Sequence, residues 1–381
     1  MTRLYLIRHA EAEGNLYRRI HGQYDSLITE NGYRQIAALR GRFQHIPINA
    51  VYSSDLFRAA TTAKAIYGPR GLTLITRKAL REVDMGRWED RPWGEVARVD
   101  RARLALFNQT SPLWQAEEGE GFGDIRARVT AALRQIVKHH PNQTVAVVSH
   151  GMAIRNALAF FHGLSVEESA GLGHSDNTAV SLVEFDDAGA RVIYENDNSH
   201  LPEEISTLGQ QQWWRERSSI FDSNMWFRPL DMARDAALYR DARREAWLNI
   251  HGSLLHYDEN AFFNDALAHW QFDGRSVMCA MLGDQITGLL QLDLRRDAEK
   301  GVGYIPFFYM TPDYRAQGLG VQLLGQAVST YRPLLRTYLR LRCAPDNFVA
   351  QRFYQRHGFR KVAEDKGSRV PLDVMEKYIG Y

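Results

Sequence analysis

Three short apolar runs in this 381-residue chain each lead into side chains suited to binding or attacking an anion. Leu4 to Ile7 runs into Arg8-His9, Ala50 to Ser53 is followed by Arg58 within Ser53-Ser54-Asp55-Leu56-Phe57-Arg58-Ala59, and Thr144 to Ser149 runs into His150-Gly151. Guanidinium groups are planar, permanently charged forks that match a group with several peripheral oxygens. A neutral imidazole can attack phosphorus and split one hard displacement into two easier ones. Singly, each residue has a bland reading, such as a helix-surface arginine or a satisfied histidine at a strand end. A second pair, Arg356-His357, precedes Gly358 and reads as a helix end. Place distinguishes the first set, because an open α/β sheet presents its ligand site at the carboxyl ends of its strands.

The second chemical pattern is Arg315-Ala316-Gln317-Gly318-Leu319-Gly320, which follows an apolar run ending at Met310 and opens a helical pattern beginning near Gln317. Backbone without side chains lets N–H groups approach a pyrophosphate at a helix N-terminus, where the dipole also favours anions. The pattern fails as a dinucleotide fingerprint: the third glycine is missing and the preceding strands read as antiparallel.

The elements that must position these residues follow from periodicity. The first half alternates strands at Leu4–Ile7, Ala50–Ser53, Leu72–Ile75 and Thr144–Ser149 with helices at Thr29–Phe43 and Arg58–Tyr67, a rhythm that implies right-handed crossovers and a mainly parallel sheet. Strands at Ala179–Phe185 and Arg191–Tyr194 flank Asp186-Asp187-Ala188-Gly189, a hairpin turn. Residues 206–224, with a glutamine triplet and Trp213-Trp214, keep neither period and are expected to be a linker docked on one domain. Strands then follow at Met225–Leu230, Ser276–Leu282, Ile286–Leu294, Gly303–Met310 and Thr337–Cys343, with helices at Gln317–Tyr331 and Asn347–His357 and terminal strands near Phe359–Val362 and Val370–Ile379. The expected division is a domain over 1–205, a linker over 206–224 and a domain over 225–381.

Composition narrows the function classes. Lys and Arg number 47 against 45 Asp and Glu, so no global field draws the chain to nucleic acid or an anionic membrane. The two cysteines, Cys279 and Cys343, are too few for a disulfide framework and lack neighbouring zinc ligands. No apolar run approaches the length of a spanning helix, and arginine interrupts the N-terminal run too early for a signal peptide. The expectation is a cytoplasmic protein with no metal, no nucleic-acid partner and no membrane partner.

Residues 1–205 resemble the histidine phosphatase superfamily, the phosphoglycerate-mutase-like group. The resemblance rests on Arg8-His9-Ala10-Glu11 with Asn15, the stretch Gly22 to Gly32, the segment around Arg58, Arg81 to Glu89, Ser149-His150-Gly151 and Ser199-His200-Leu201, all in family order. Ala10 departs from the family's usual glycine and implies a tighter phosphate loop. The resemblance implies a three-layer α/β/α fold in which Arg8, Arg58 and His150 bind a phosphoryl group, His9 becomes a phosphohistidine and Glu82 protonates the leaving alkoxide. That last role requires a carboxyl kept protonated through burial. Asn15 is a further candidate phosphate contact, and no cofactor is needed. Arg155 stays outside the expected site, and His21 and His174 match no motif. A compact domain and Glu13-Gly14-Asn15 favour the phosphatase branch over the mutase branch. Substrate choice is expected in the segment 91–124, with Trp93, Phe107, Trp114 and Phe122.

Residues 225–381 resemble the GNAT acetyltransferase superfamily, on Arg315 to Gly320 preceded by Pro312-Asp313-Tyr314 and on Asn347 to Phe359. That resemblance implies a mixed-sheet α/β fold and acetyl-CoA as cofactor, with the pyrophosphate on Gln317, Gly318, Leu319 and Gly320 beside Arg315. It places the pantetheine along the strand ending at Met310, a cofactor contact at Asn347 and Tyr354 as proton donor to the departing thiolate. The amine's base is open among water, Asp293 and a residue of the amine-binding loops. The combined expectation is a bifunctional enzyme acting on a small phosphorylated metabolite and a small amine. The alternatives are a phosphatase with a non-catalytic acyl-CoA-binding regulatory domain, or a phosphoglycerate-mutase-type phosphotransferase. The oligomeric state is open.

Overall fold

In a computed structural model, which describes residues 1–210, 223–366 and 370–381, the chain forms two compact units. Described residues 1–91 and 96–210 make one, and 92–95 with 223–366 and 370–381 make the other. Trp213-Trp214 lie outside the described residues. Residues 206–210, the start of the expected linker, are tied to the first unit: Ser206 Oγ donates to Asp176 Oδ2 at 2.6 Å and Thr207 Oγ1 to Glu11 Oε2 at 3.0 Å.

The first unit's strands are β1 (Thr2–Arg8), β2 (Ala50–Ser53), β3 (Leu74–Thr76), β4 (Thr144–Ser149), β5 (Val180–Asp186) and β6 (Gly189–Asp197), ordered β3-β2-β4-β1-β5-β6. The first four are parallel and β5 and β6 close the sheet as an antiparallel hairpin, so the mainly parallel sheet is present. Its helices are α1 (Glu13–Tyr17), α2 (Glu30–Phe43), α3 (Phe57–Tyr67), α4 (Trp93–Val99, which crosses the unit boundary), α5 (Arg101–Asn108), α6 (Phe122–His139), α7 (Gly151–Phe161) and α8 (Thr207–Gln210). Thr29 starts α2 by accepting from Gly32 N at 2.9 Å, the ordinary work of a threonine N-cap. Leu39 and Phe43 of α2 and Ala63 and Ile66 of α3 pack on Ile7, Val51 and Val148 of the sheet. Burial on both faces explains why β4 reads as one apolar run without alternation.

The second unit adds β7 (Trp226–Pro229), α9 (Ala236–His251), α10 (Glu259–Phe272), β8 (Val277–Leu282), β9 (Gln285–Asp293), β10 (Val302–Met310), α11 (Val321–Tyr331), β11 (Tyr338–Cys343), α12 (Phe348–Arg356), β12 (Arg360–Asp365) and β13 (Leu372–Tyr378). The sheet order is β12-β13-β11-β10-β9-β8-β7. It is mixed, as expected: β10 and β11 run parallel and the other neighbours antiparallel. The β10–β11 ladder is short, pairing Val302–Ile305 with Tyr338–Leu341, so the rest of β10 leaves that edge. Helix α11 starts at Val321, four residues later than its pattern predicts, because Gly318 holds a left-handed φ of +73° and stops the helix from starting earlier.

Candidate active sites

The carboxyl ends of β1, β2 and β4 are locked side by side, since His9 N donates to Ser149 O at 2.9 Å and Ser54 N to Val148 O at 3.0 Å. This places His9 and His150 together, with ring centroids 5.1 Å apart. Nδ1 of His9 lies 2.7 Å from the Ala10 carbonyl, which only an N–H can satisfy, so the proton sits on Nδ1 and Nε2 keeps its lone pair. No described residue hydrogen-bonds that Nε2. His150 is fully buried, and neither of its ring nitrogens has a hydrogen-bond partner among the described residues. Burial first, then the charges of Arg58 and Arg8, hold the His9 imidazole well below its ordinary pKa; the same causes act on His150, with His9 adding to them. Both rings are therefore neutral at neutral pH.

Arg58, 1% exposed, enters the site from α3 with Nη1 donating to Tyr24 O at 2.8 Å and Nη2 to Gly22 O at 2.6 Å. Its loop is fixed in turn by Glu89, whose carboxylate accepts from the N–H groups of Gly22, Gln23, Tyr24 and Met85 at 2.6–3.1 Å. Glycine is obligatory at 22, where an added Cβ would sit 2.3 Å from Val83 O and 2.5 Å from Glu89 Oε1. Arg8 donates to the Ser175 carbonyl, and its buried Nε has no hydrogen-bond partner among the described residues. Thr62 Oγ1, which accepts from Ala10 N at 2.9 Å and donates to Arg58 O at 2.7 Å, ties the loop after β1 to α3.

Glu82 sits at the N-terminus of α7, Oε2 accepting from Met152 N at 3.0 Å and Oε1 from Ala153 N at 3.1 Å. It is half-buried, less enclosed than a protonated donor was expected to be. Gly151 brings it to Arg8: a Cβ there would lie 3.5 Å from Arg8 Nε and 3.8 Å from Glu82 Oε2. Asn15 uses its side-chain oxygen to cap α1, accepting from Ala12 N at 3.1 Å and Asn177 Nδ2 at 3.4 Å. His200 of the closing motif bonds Thr178 and Arg42, outside this cluster.

Several positioning residues escaped sequence reading. Arg128 donates to the carbonyls of Ala79, Arg81 and Glu82 at 3.0–3.2 Å and so fixes the turn carrying Glu82. Asp176 accepts from Asn198, Ser206 and Leu208, anchoring the loop behind Arg8. Arg155 lies close enough to Arg8 and Glu82 to feel both charges. Two of the aromatics in the segment expected to select substrate are core residues. Trp114 and Phe122 are 1% and 0% exposed and pack with Trp88 and Phe107 as a local core.

In the second unit, the backbone N–H groups from Ala316 to Val321 have no acceptor among the described residues. Ala316 and Gly318 hold φ of +60° and +73°, the alternation that turns successive N–H groups toward one concavity. This nest fits a pyrophosphate and lies between Met310 and α11. Arg315, beside it, donates from Nε to Met310 O at 2.9 Å and pairs with Glu245 at 2.8 Å. Gln317 donates to Asp313 O at 2.7 Å, leaving its main chain to the nest. Leu319 is buried, and Gly320 already has helical backbone as the N-cap of α11. Asn347 caps α12 by accepting from Ala350 N at 3.2 Å. Tyr354 packs against Phe308, Phe353 and Phe359, and burial pushes its phenol up, keeping the proton on Oη. The base remains absent from β10. Asp293 is capped by Arg295 N and Arg296 N and faces His269 at 3.3 Å, while Glu245 is held by Arg315 and Tyr309.

Residues 4–198 match the histidine phosphatase superfamily (branch 1). The chain belongs to that superfamily. Residues 239–359 match the acetyltransferase (GNAT) family, so the second unit carries a GNAT domain. The first half is 34% identical over 207 residues to the probable phosphoglycerate mutase GpmB of Yersinia pestis, covering 53% of this chain and 95% of that protein. The GpmB of Yersinia pseudotuberculosis gives the same values. The solved structure of Bacillus stearothermophilus YhfR matches with TM-score 0.51 and 32% identity, covering 52% of this chain and 99% of that one. Phosphatase-type and acetyltransferase activities are thus supported in one histidine phosphatase–GNAT chain. Among the described residues, no helix is long and apolar enough to cross a membrane.

Proposed function

We propose that residues 1–205 hydrolyse a small phosphomonoester through a phosphohistidine and that residues 225–381 acetylate a small amine from acetyl-CoA. One observation carries the hydrolase reading: His9 Nδ1 is held by Ala10 O while Nε2 stays open beside the buried, unpartnered imidazole of His150. Nε2 attacks phosphorus and the P–O bond to the leaving alkoxide breaks. Glu82 supplies the alkoxide's proton, and Arg8, Arg58 and His150 carry the charge on the peripheral oxygens. Water then attacks the phosphohistidine, returns a proton to Glu82 and releases inorganic phosphate. The same phosphohistidine would serve a mutase if an acceptor hydroxyl replaced water, and the name of the Yersinia relatives keeps that reading available. The test is incorporation of labelled phosphate from an activated ester after an alkaline quench, stable to base and released by acid, which must appear in the wild type and vanish in His9→Ala.

Acetyl-CoA supplies the activated acetyl group. The Gln317–Gly320 main chain and Arg315 would hold its pyrophosphate, Met310 and Asn347 would contact the cofactor, and Tyr354 keeps a proton at Oη for a departing thiolate. A non-catalytic acyl-CoA-binding unit is the second reading, favoured by the engagement of both nearby carboxylates, Glu245 and Asp293, in other bonds. Thiol release across an amine panel separates the two.

A further inference from the structure

The second unit holds a cleft of ≈ 480 Å³ whose lining includes Arg296, Tyr304, Arg340, Arg342, Asp365 and Glu376. That size suits a small metabolite. Side chains alternate across a strand, and Leu339, Leu341 and Cys343 of β11 are buried on the other face, so Arg340 and Arg342 put the cleft opposite them. It lies where the β10–β11 ladder stops, at Ile305 and Leu341.

Most of its charges are already matched. Arg340 pairs with Glu376 at 2.7 Å and Asp297 at 3.4 Å, Arg342 with Asp365, and Glu364 with Lys361 at 2.7 Å. Arg296 differs. Its Cζ lies 3.9 Å from the Tyr304 ring centroid, and its guanidinium makes no ion pair or hydrogen bond with any described residue. Stacking uses the face of the guanidinium and leaves its N–H edge for an acceptor brought from outside. The Tyr304 hydroxyl beside it likewise has no partner among the described residues.

We propose that this cleft binds an amine that also carries an anionic group, a carboxylate or a phosphate ester, held through the Arg296 guanidinium. The proposal rests on reading the second unit as an N-acetyltransferase, with the amino group directed to the end of the β10–β11 ladder. Calorimetric titration of the CoA-saturated full chain tests it with β-alanine, 2-aminoethylphosphonate and ethanolamine as probes. Both anionic amines, or one of them, bind at least about 10-fold tighter than ethanolamine, and the stronger arm identifies the anion. Arg296→Ala closes that gap, and Arg296→Lys restores part of it. Equal affinity for ethanolamine, which lacks the anionic group, or a gap that survives Arg296→Ala, overturns the proposal. Thiol release in parallel samples, with acetyl-CoA in place of CoA, judges the transferase reading separately. Anionic amines held by Arg296 without thiol release would defeat that reading and leave the binding site standing. Thiol release to ethanolamine alone would defeat the proposal and keep the transferase.

Discussion

On the proposed reading, the two units meet an anion in opposite ways. In the first, charged and imidazole side chains converge: Arg8, His9 and His150 come from the ends of β1 and β4, Arg58 from α3 after β2, and Glu82 from a turn beside them. In the second, the concavity between Ala316 and Val321 is main chain, and the nearest guanidinium, that of Arg315, is occupied by Glu245 and the Met310 carbonyl. A side-chain site fails when a functional group or its support is removed. A main-chain site fails when φ is disturbed. The difference says which substitutions injure each half and leave the other intact.

The largest expected effect is His9→Ala. Loss of the attacking nitrogen lowers phosphate release by at least about 10³-fold and abolishes the acid-labile phosphoenzyme, while acetyl-CoA affinity stays at the wild-type value. Parallel measurement of both on one preparation checks the separation, and a loss of both would break the comparison. Next is Glu89→Gln, which touches no substrate on this reading. The amide loses the charge that four main-chain N–H groups share, and the carbonyls of residues 22 and 24 that grip Arg58 shift with them. The expected loss in kcat is on the order of 10²-fold. A positioning role is distinguished from plain destabilisation by kcat falling at an unchanged thermal midpoint, with Glu89→Asp recovering part of the rate.

For the main-chain site the sharpest probe is Gly318→Ala. Nothing lies within 4 Å of the added Cβ, so crowding is not at issue, but φ of +73° costs an L-residue roughly 1–2 kcal/mol. Acetyl-CoA binding measured by calorimetry is expected to weaken about 10-fold. Gly320→Ala is the control, since its φ of −57° is helical and its Cβ would make ordinary contacts at 3.6 Å with Phe353. That variant should change affinity less than about 3-fold. Equal losses at both positions would mean that side-chain volume, and not backbone conformation, governs the nest.

What could be read in the sequence follows the same divide. The strands β2 and β4 fall where their apolar runs place them, because burial on both faces leaves an unbroken signature. The convergence of Arg8, His9, Arg58 and His150 was legible because each follows a strand in one parallel sheet. The helix start of α11 was not: Gln317 continues the 3.6-residue pattern, and nothing in the pattern shows that Gly318 is left-handed. Glu89 and Arg128 were missed as supports because they work on main-chain atoms, which leave no residue type to recognise. The one trace of Glu89 is Gly22, a glycine forced by the approach of Val83 O and the Glu89 carboxylate. Trp114 and Phe122 misled in the other direction, since aromatic residues near a site look the same in sequence whether they line it or form a core.

The smallest expected effect concerns pH, and it tests whether the first site is dry as well as charged. An imidazole with the ordinary pKa near 6.5 would lose about 4-fold of its neutral form between pH 7.5 and pH 6. His9 is only 6% exposed, and burial together with the charges of Arg58 and Arg8 places its folded pKa well below that value. A lowered pKa means that the nucleophile stays unprotonated as acid is added, so the activity is kept below pH 6.5 and is lost only when the pH falls through the depressed value. The rate of phosphoenzyme formation should therefore change less than about 2-fold from pH 7.5 to pH 6. Rapid-quench measurement with an aryl phosphate that keeps one ionisation state across the range gives this directly. Arg58→Gln removes one of the two charges named, so the residual rate of that variant should start to fall at a higher pH than in the wild type. An acid limb centred near pH 6.5 in the wild type would show that water reaches the imidazole freely, and the contrast between an enclosed side-chain site and an open main-chain nest would not hold.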